Sequence, residues 1–320
     1  MTEVPELSVV VPAKNEGRFI GACLSSIVEQ SREVRVELIV VDNGSDDDTI
    51  DVSKRYGARV VPVAEGTVAY LRNCGAQVAN APFIAFIDAD CTADPGWARS
   101  AIEVFEDDRV SAAGCYPRLP DGDTTWVQRA WVAIARPPGE ERRQTSWLPS
   151  ANMIVRASTF SKAGGFDEQM ETAEDADLTY RLGEHGKVIY DEQISAAHHR
   201  EPSSLRIFFK KEIWHGLGSF DGVSKGRFTA AELPSLIAPV MTLFGIAAIV
   251  TGAFVLPLLT QLGIVSIAFP PVAYTLRALS RSKTTVPLAQ IFVIYTVYHL
   301  ARAVSVLCWL RKRGRFVLAT

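Results

Sequence analysis

The chain has 320 residues, enough for a sizeable core and for more than one compact unit. Its formal charge of −3 conceals an asymmetry. From Leu233 to Thr320 there is no Asp or Glu but there are eight basic residues, which leaves −11 on residues 1–232 once those eight are taken from the total. An acidic, soluble-looking first part on an apolar, basic tail argues against a nucleic-acid partner, whose phosphates call for the opposite sign. The five cysteines (Cys23, Cys74, Cys91, Cys115, Cys308) show no metal-ligand spacing and read as reduced thiols. Residues 1–6 lack the basic and apolar stretches of a secretory signal.

Leu7 to Val11 is a β-branched run closed by Pro12, hence a strand. Phe19, Ile20, Cys23, Leu24, Ile27 and Val28 then fall at helical spacing. A second strand, Val36 to Val41, ends in Asp42-Asn43-Gly44-Ser45, and Asp46-Asp47-Asp48 is expected to cap the helix that follows. Arg59 to Val63 is a short third strand, and residues 68–79 form a helix. Phe83 to Ile87 is an apolar run of strand length that ends in Asp88-Ala89-Asp90. Buried carboxylates are costly unless paired or cation-bound, so this pair belongs at the strand's carboxyl edge, where open α/β sheets bind ligands. The strand–helix alternation implies a parallel, doubly wound sheet.

Beyond Asp90 the pattern gives a helix over 95–105 and a strand over 110–115. Residues 117–149, rich in Pro, Arg and Trp, show no clear period and read as a functional loop or lid. A strand over 151–156, a short helix over 158–163, a turn at Gly164-Gly165, a helix opening at Glu174-Asp175 and a strand over 187–190 follow. In residues 204–220, Leu205, Phe209, Ile213 and Phe220 share one face with basic residues beside it, as in an interfacial helix or one packed on the globular part. Residues 233–276 carry no charge, long enough for two membrane spans with a break at 257–261, and 286–310 form a third apolar stretch. The piece 262–276, with Pro270-Pro271, is short and open to kinking or re-entry. The basic groups at 277–283 and 311–315 both favour the cytoplasmic side, so three full spans conflict with them. One stretch is therefore expected to be partial, interfacial or packed against its neighbours.

Taken in order, Val11-Pro12-Ala13-Lys14-Asn15-Glu16, Val40-Val41-Asp42-Asn43-Gly44-Ser45, Asp88-Ala89-Asp90, Gly164-Gly165-Phe166-Asp167-Glu168 and Glu174-Asp175 resemble the family 2 glycosyltransferases of the GT-A fold over roughly residues 5–200. The resemblance implies an α/β, Rossmann-like nucleotide-diphospho-sugar transferase domain over 1–203, a linker with the amphipathic helix over 204–232 and a membrane region over 233–320. It implies a nucleotide-sugar donor, UDP-linked by preference, held by Pro12, Ala13, Glu16, Asp42, Arg72 and Asp88. Asp90 would hold Mn²⁺ or Mg²⁺, with His198 ahead of His199 as a further ligand. Asp175 would be the general base, with Glu174 or Asp177 orienting it, and Phe166 and Asp167 would face the acceptor.

Physical chemistry alone leaves more open. Asp42 can accept from the imide N–H of a uracil-like base or serve as turn chemistry. Arg72 can grip phosphate or steady Asp88, and Glu174-Asp175 also suits any helix N-terminus. Trp126, Trp131 and Trp147, with Arg129, Arg136, Arg142 and Arg143, could form a lid over a sugar or lipid-phosphate acceptor. The Gln-x-x-Arg-Trp element of processive synthases is absent, since Gln128-Arg129-Ala130-Trp131 does not fit it, which argues for addition of a single sugar. The expected setting is the inner membrane, multi-pass, with the catalytic domain in the cytoplasm and a lipid-linked or membrane-embedded acceptor. A nucleotidyltransferase and a non-catalytic transferase-like scaffold are the alternatives.

Overall fold

The computed structural model describes residues 4–136, 142–224, 233–281 and 286–317. The chain forms two compact units, Met1–Pro120 with Gly139–Arg200, and Asp121–Pro138 with Glu201–Thr320.

In the first unit the β-branched runs become β1 (Leu7–Ala13), β2 (Val36–Asp42), β3 (Arg59–Pro62) and β4 (Phe83–Ile87). These pair in parallel, in the order β3-β2-β1-β4. β1 continues through Pro12, which falls where pairing with β4 has already ended at Val10 and no donor toward that neighbour is needed. Between the strands run α1 (Ile20–Gln30), α2 (Thr49–Arg55) and α3 (Val68–Val78). Alternation within the strands separates two cores. Val9, Val11, Ala85 and Ile87 pack with α1 on one face, and Val10, Ile39, Ile84 and Phe86 pack with α3 on the other. Each large side chain so buried contributes about 1.5–3 kcal/mol.

The second half of the sheet departs from the all-parallel expectation. After β5 (Cys91–Ala93), α4 (Trp97–Val104) and β6 (Val110–Gly114), the chain passes through α5 (Trp126–Ala135) and β7 (Arg142–Gln144) to β8 (Asn152–Arg156). β8 lies antiparallel between β4 and β6, while β9 (Lys187–Asp191) is parallel to β6 and antiparallel to edge strand β7. Parallel order holds only while each strand is followed by a crossover helix. The long excursion between β6 and β8 lets β8 enter from the opposite end. α6 (Ala157–Lys162) and α7 (Glu174–Gly183) complete the second face. A separate ribbon pairs β5 with β10 (Ala196–His198), antiparallel, with His198 opposite Cys91.

The second unit contains α5, α8 (Leu205–Ser224), α9 (Leu233–Gly252), α10 (Pro257–Arg281) and α11 (Leu288–Val317). α5 was not expected. Its Val127, Ala130, Trp131 and Ile134 recur at helical spacing, and Thr125 and Gln128 form a reciprocal capping box at its start. Trp131 packs on Phe208 and Tyr298, so this tryptophan is core rather than part of a lid.

The inward face of α8 overlaps the one read in the sequence, for Leu205 packs on the buried cluster and Phe209 and Ile213 are half-buried. Phe208, Glu212 and Gly216 are buried, whereas Ile207 and Trp214 are exposed. The inward face is set by pairing with α11. Phe208 shares a cluster with Ile294, Glu212 pairs with Arg302 at 3.0 Å, and Gly216 lies against Ser305. These contacts advance together, so the two helices run side by side in the same direction.

α9, α10 and α11 are each long and apolar enough to cross a membrane. The break expected at 257–261 instead lies at 253–256, because Pro257 is the first residue of α10, a position where its missing N–H costs nothing. α10 then continues through Pro270-Pro271 and is not the short piece expected. The linker residues 225–232, Lys283 and the side chains of Phe220 and residues 312–315 fall outside the described residues.

Candidate active site

The carboxyl ends of β1, β2 and β4 bring the first residues together. Asp42 ends β2 beside Ala13 and is 2% exposed. Its Oδ2 accepts from the Ser45 N–H at 3.1 Å, while Oδ1 has no partner among the described residues. Asn43 donates its backbone N–H to Ala13 O and its side-chain amide to Gly66 O, which leaves its Oδ1 buried and unpaired as well. Two buried acceptors without donors are a cost that a ligand N–H can remove. Pro12 and Ala13 are buried at the same edge. The loops after β1 and β2 are tied to each other. Asn15 N–H donates to Ser45 Oγ, Asp46 N–H to Asn15 Oδ1, and Gly17 N–H to Asp47 Oδ2. Asp47 also accepts from Thr49, whereas Asp48, at the helix cap position, makes no side-chain cap bond. Asp47 therefore does both, holding the first N–H of α2 and tying the two loops together.

Asp88 and Asp90 leave β4 in different directions. Asp88 receives Arg72 Nη2 at 2.8 Å, and the same guanidinium reaches Glu174 through Nη1 at 2.7 Å. Arg72 is 3% exposed and lies over the Phe166 ring at 5.5 Å. Burial would make its charge costly, but the two carboxylates more than offset that and hold it protonated. Of its two sequence readings, steadying Asp88 is the one seen, with Glu174 as an unforeseen second partner. Phe166, expected to face an acceptor, is buried against Phe86 and Phe160 and acts as the platform for Arg72. Its turn is clamped by Asn73, which accepts from Phe166 N–H and donates to Phe166 O, each at 2.9 Å. Gly165 adopts a φ of +70°, and a Cβ there would come within 2.7 Å of Asn73 Oδ1.

Asp175 follows Glu174 at the start of α7 and accepts from the Ala176 N–H at 2.8 Å. Burial and the adjacent Glu174 charge push its carboxyl up to about 7. Asp177, considered as an orienting group, instead pairs with Arg181, whose guanidinium also holds Gly165 O. Its work is on the glycine turn.

Asp90 sits beside the β5–β10 ribbon. His198 Nε2 lies 3.3 Å from Asp90 Oδ1, and Arg200 Nε donates to Asp90 Oδ2 at 2.7 Å. Burial alone would raise this carboxyl, but His198 and Arg200 hold it well below the usual carboxylate range. His199 turns its ring to Thr92 Oγ1 at 3.0 Å, so of the two histidines it is His198 that faces Asp90. Ligand atoms of Asp90, Cys91 and His198 lie within 4.8 Å of one another. Neither Cys91 nor Arg200 was singled out from the sequence. Arg200 also pairs with Glu16, which burial pushes up and Arg200 only partly offsets. Of the proposed lid, Arg142 pairs with Asp191 at 2.7 Å, Arg143 lies over Tyr190, and Trp147 remains exposed near Tyr116.

Sheet-edge acids, a paired imidazole and a raised carboxyl thus gather at the carboxyl edge of one α/β sheet, where such sheets bind ligands. Residues 8–163 match the model of the glycosyl transferase family 2, and this stretch of the chain is a family 2 glycosyltransferase domain. It is 29% identical over 225 residues to a pre-mycofactocin glycosyltransferase of Mycobacterium tuberculosis, covering 66% of this chain and 46% of that one. Against a validoxylamine A glucosyltransferase of Streptomyces hygroscopicus it is 29% identical over 223 residues, covering 58% and 53%. The chain thus spans about half the length of these curated relatives. Among solved structures, mannosyltransferase PcManGT from Pyrobaculum calidifontis, in complex with GDP-Man and Mn²⁺, superposes with a TM-score of 0.61 at 15% identity, over 97% of this chain and 88% of that one. That likeness bears on the fold.

Proposed function

We propose that the protein moves a single sugar from a nucleotide-diphosphate sugar, UDP-linked by preference, to a lipid-linked or membrane-embedded acceptor, with inversion. The observation that carries this reading is the Asp88–Arg72–Glu174 bridge, in which Arg72 reaches across 102 residues of sequence to Glu174 and so joins the candidate donor contact Asp88 to the neighbour of the candidate base Asp175. Asp42 Oδ1 and Asn43 Oδ1 are the free acceptors for the N–H groups of a nucleobase. Asp88, about a third exposed, is open to a ribose hydroxyl.

Asp90 and His198 would hold a divalent cation. A carboxylate oxygen suits Mg²⁺ and Mn²⁺ alike, whereas an imidazole nitrogen favours the first-row ion. When bound, the cation supplies positive charge to the departing diphosphate. Asp175, in its ionised form, takes the acceptor hydroxyl proton as that oxygen bonds to the anomeric carbon. The bond from the anomeric carbon to the phosphate oxygen breaks, and the nucleoside diphosphate leaves with the electron pair. Glu174 adds the nearby negative charge that keeps Asp175 basic, and Arg72, paired with Glu174, pulls the other way more weakly. The apolar helices α9, α10 and α11 support residence in the inner membrane with the first unit in the cytoplasm, where nucleotide sugars are made. Calorimetry of UDP and GDP with and without Mn²⁺, on wild type and Asp90→Ala, tests the reading. Nucleotide binding that ignores both the metal and the substitution would remove Asp90 from its role. Thermal stabilisation across a panel of nucleotide sugars identifies the donor.

A further inference from the structure

Arg200 has no part in the mechanism above, yet it occupies the centre of the acidic cluster. Its Nε donates to Asp90 Oδ2 at 2.7 Å, a terminal nitrogen pairs with Glu16 Oε1, and its guanidinium lies over the Phe19 ring at 5.2 Å. With His198 on Asp90 Oδ1, both oxygens of this buried carboxylate are engaged, one of them by a fixed positive charge. A divalent cation sharing that oxygen is repelled by the guanidinium beside it. The arginine side chain is 48% exposed, long and rotatable, so its head can leave the cluster without any backbone shift. Glu16 Oε2 is buried and unpartnered among the described residues, so the acid at the far end of this bridge is itself incompletely satisfied. A guanidinium released here is well shaped, by its planar fork, for the phosphate oxygens of a donor diphosphate.

We propose that Arg200 is a tethered counter-cation that holds Glu16 and Asp90 together in the donor-free protein and passes to the diphosphate as Asp90 is released to a divalent cation. Cation and nucleotide binding are then coupled through one side chain, because each favours the state in which Arg200 has left Asp90. The inference rests on the nucleotide-sugar reading of the same site.

The test uses the full chain in detergent, with free Mn²⁺ followed by electron paramagnetic resonance in the absence and presence of UDP or GDP. In wild type, nucleotide tightens Mn²⁺ binding. In Arg200→Ala, Mn²⁺ alone binds about fivefold or more tighter, nucleotide at saturating Mn²⁺ binds about tenfold weaker, and the tightening by nucleotide shrinks. Arg200→Lys, which keeps the charge but loses the fork, lies between the two on both affinities and guards against a folding defect in the alanine variant. Unchanged Mn²⁺ affinity in Arg200→Ala overturns the proposal. So does tighter Mn²⁺ binding with nucleotide affinity intact, which would make Arg200 a fixed structural tie. If wild type binds neither nucleotide at any Mn²⁺ concentration, the donor reading itself fails, and the arginine inference falls with it.

Discussion

Asp90 and Asp175 are both carboxylates at one edge of one sheet, and the fold drives them apart. Asp90 is buried between His198 and Arg200 and held ionised well below the ordinary range. Asp175 is placed beside another carboxylate, with the nearest cation, Arg72, already shared between Asp88 and Glu174, and is pushed up to about 7 by burial and Glu174. An acid that stays charged suits a permanent cation site, and one that titrates near neutrality suits proton transfer. The division of labour comes from which cations each group can reach, since the two side chains are chemically identical.

Replacing the titrating member gives the largest effect. Asp175→Asn is expected to lower kcat by about 10²–10⁴-fold while nucleotide binding persists, because only the proposed proton acceptor is removed. Turnover and nucleotide titration on the same preparation check this, and retained turnover would move the base elsewhere. Arg72→Met strikes the group that links the two halves. It strands Glu174 and the more exposed Asp88, so the first unit should lose about 3 kcal/mol, the lower end for a broken buried pair, read from its unfolding midpoint.

The pH profile sharpens the comparison further. Asp175 accepts a proton only when ionised, so turnover should fall as pH drops through about 7 and reach its plateau above that value. In Arg72→Lys, whose charge sits less well between the acids, the midpoint should move upward, since the Arg72 charge lowers it. A wild-type profile flat from pH 6 to 8 would argue that Asp175 is not the titrating group. The smallest effect is expected at the turn beneath Arg72. Gly165→Ala forces a side chain into a left-handed residue and against Asn73, for roughly 1–2 kcal/mol. It should cost turnover a few-fold through Phe166 and Arg72 while leaving Mn²⁺ binding at Asp90 as it was, which thermal melts and metal titration would separate.

Much of this site was legible before any tertiary structure. Strand-length apolar runs ending in Asp42 and in Asp88-Ala89-Asp90 placed acids at the sheet edge, and the glycine turn before Glu174-Asp175 located the second pair. Local chemistry suffices there because a buried strand and a helix start impose their own patterns. Helix α5 was also within reach, through its capping box and the spacing of Val127, Ala130, Trp131 and Ile134, but its ten residues were lost in a segment read as one loop.

Other features had no local signal at all. The antiparallel entry of β8, the burial of Glu212 on α8 and the pairing of Arg72 with Glu174 depend on partners far away in the chain. His198 reaches Asp90 because β10 pairs with β5, two three-residue strands too short to announce themselves. Arg200 looked like any surface arginine until that ribbon set it against Asp90 and Glu16. Which residue types stand at the ends of the strands follows from the order of amino acids, since side-chain periodicity is set by backbone geometry. Which of those acids stays charged and which titrates follows from segments brought together in space, because neighbours set the electrostatic environment.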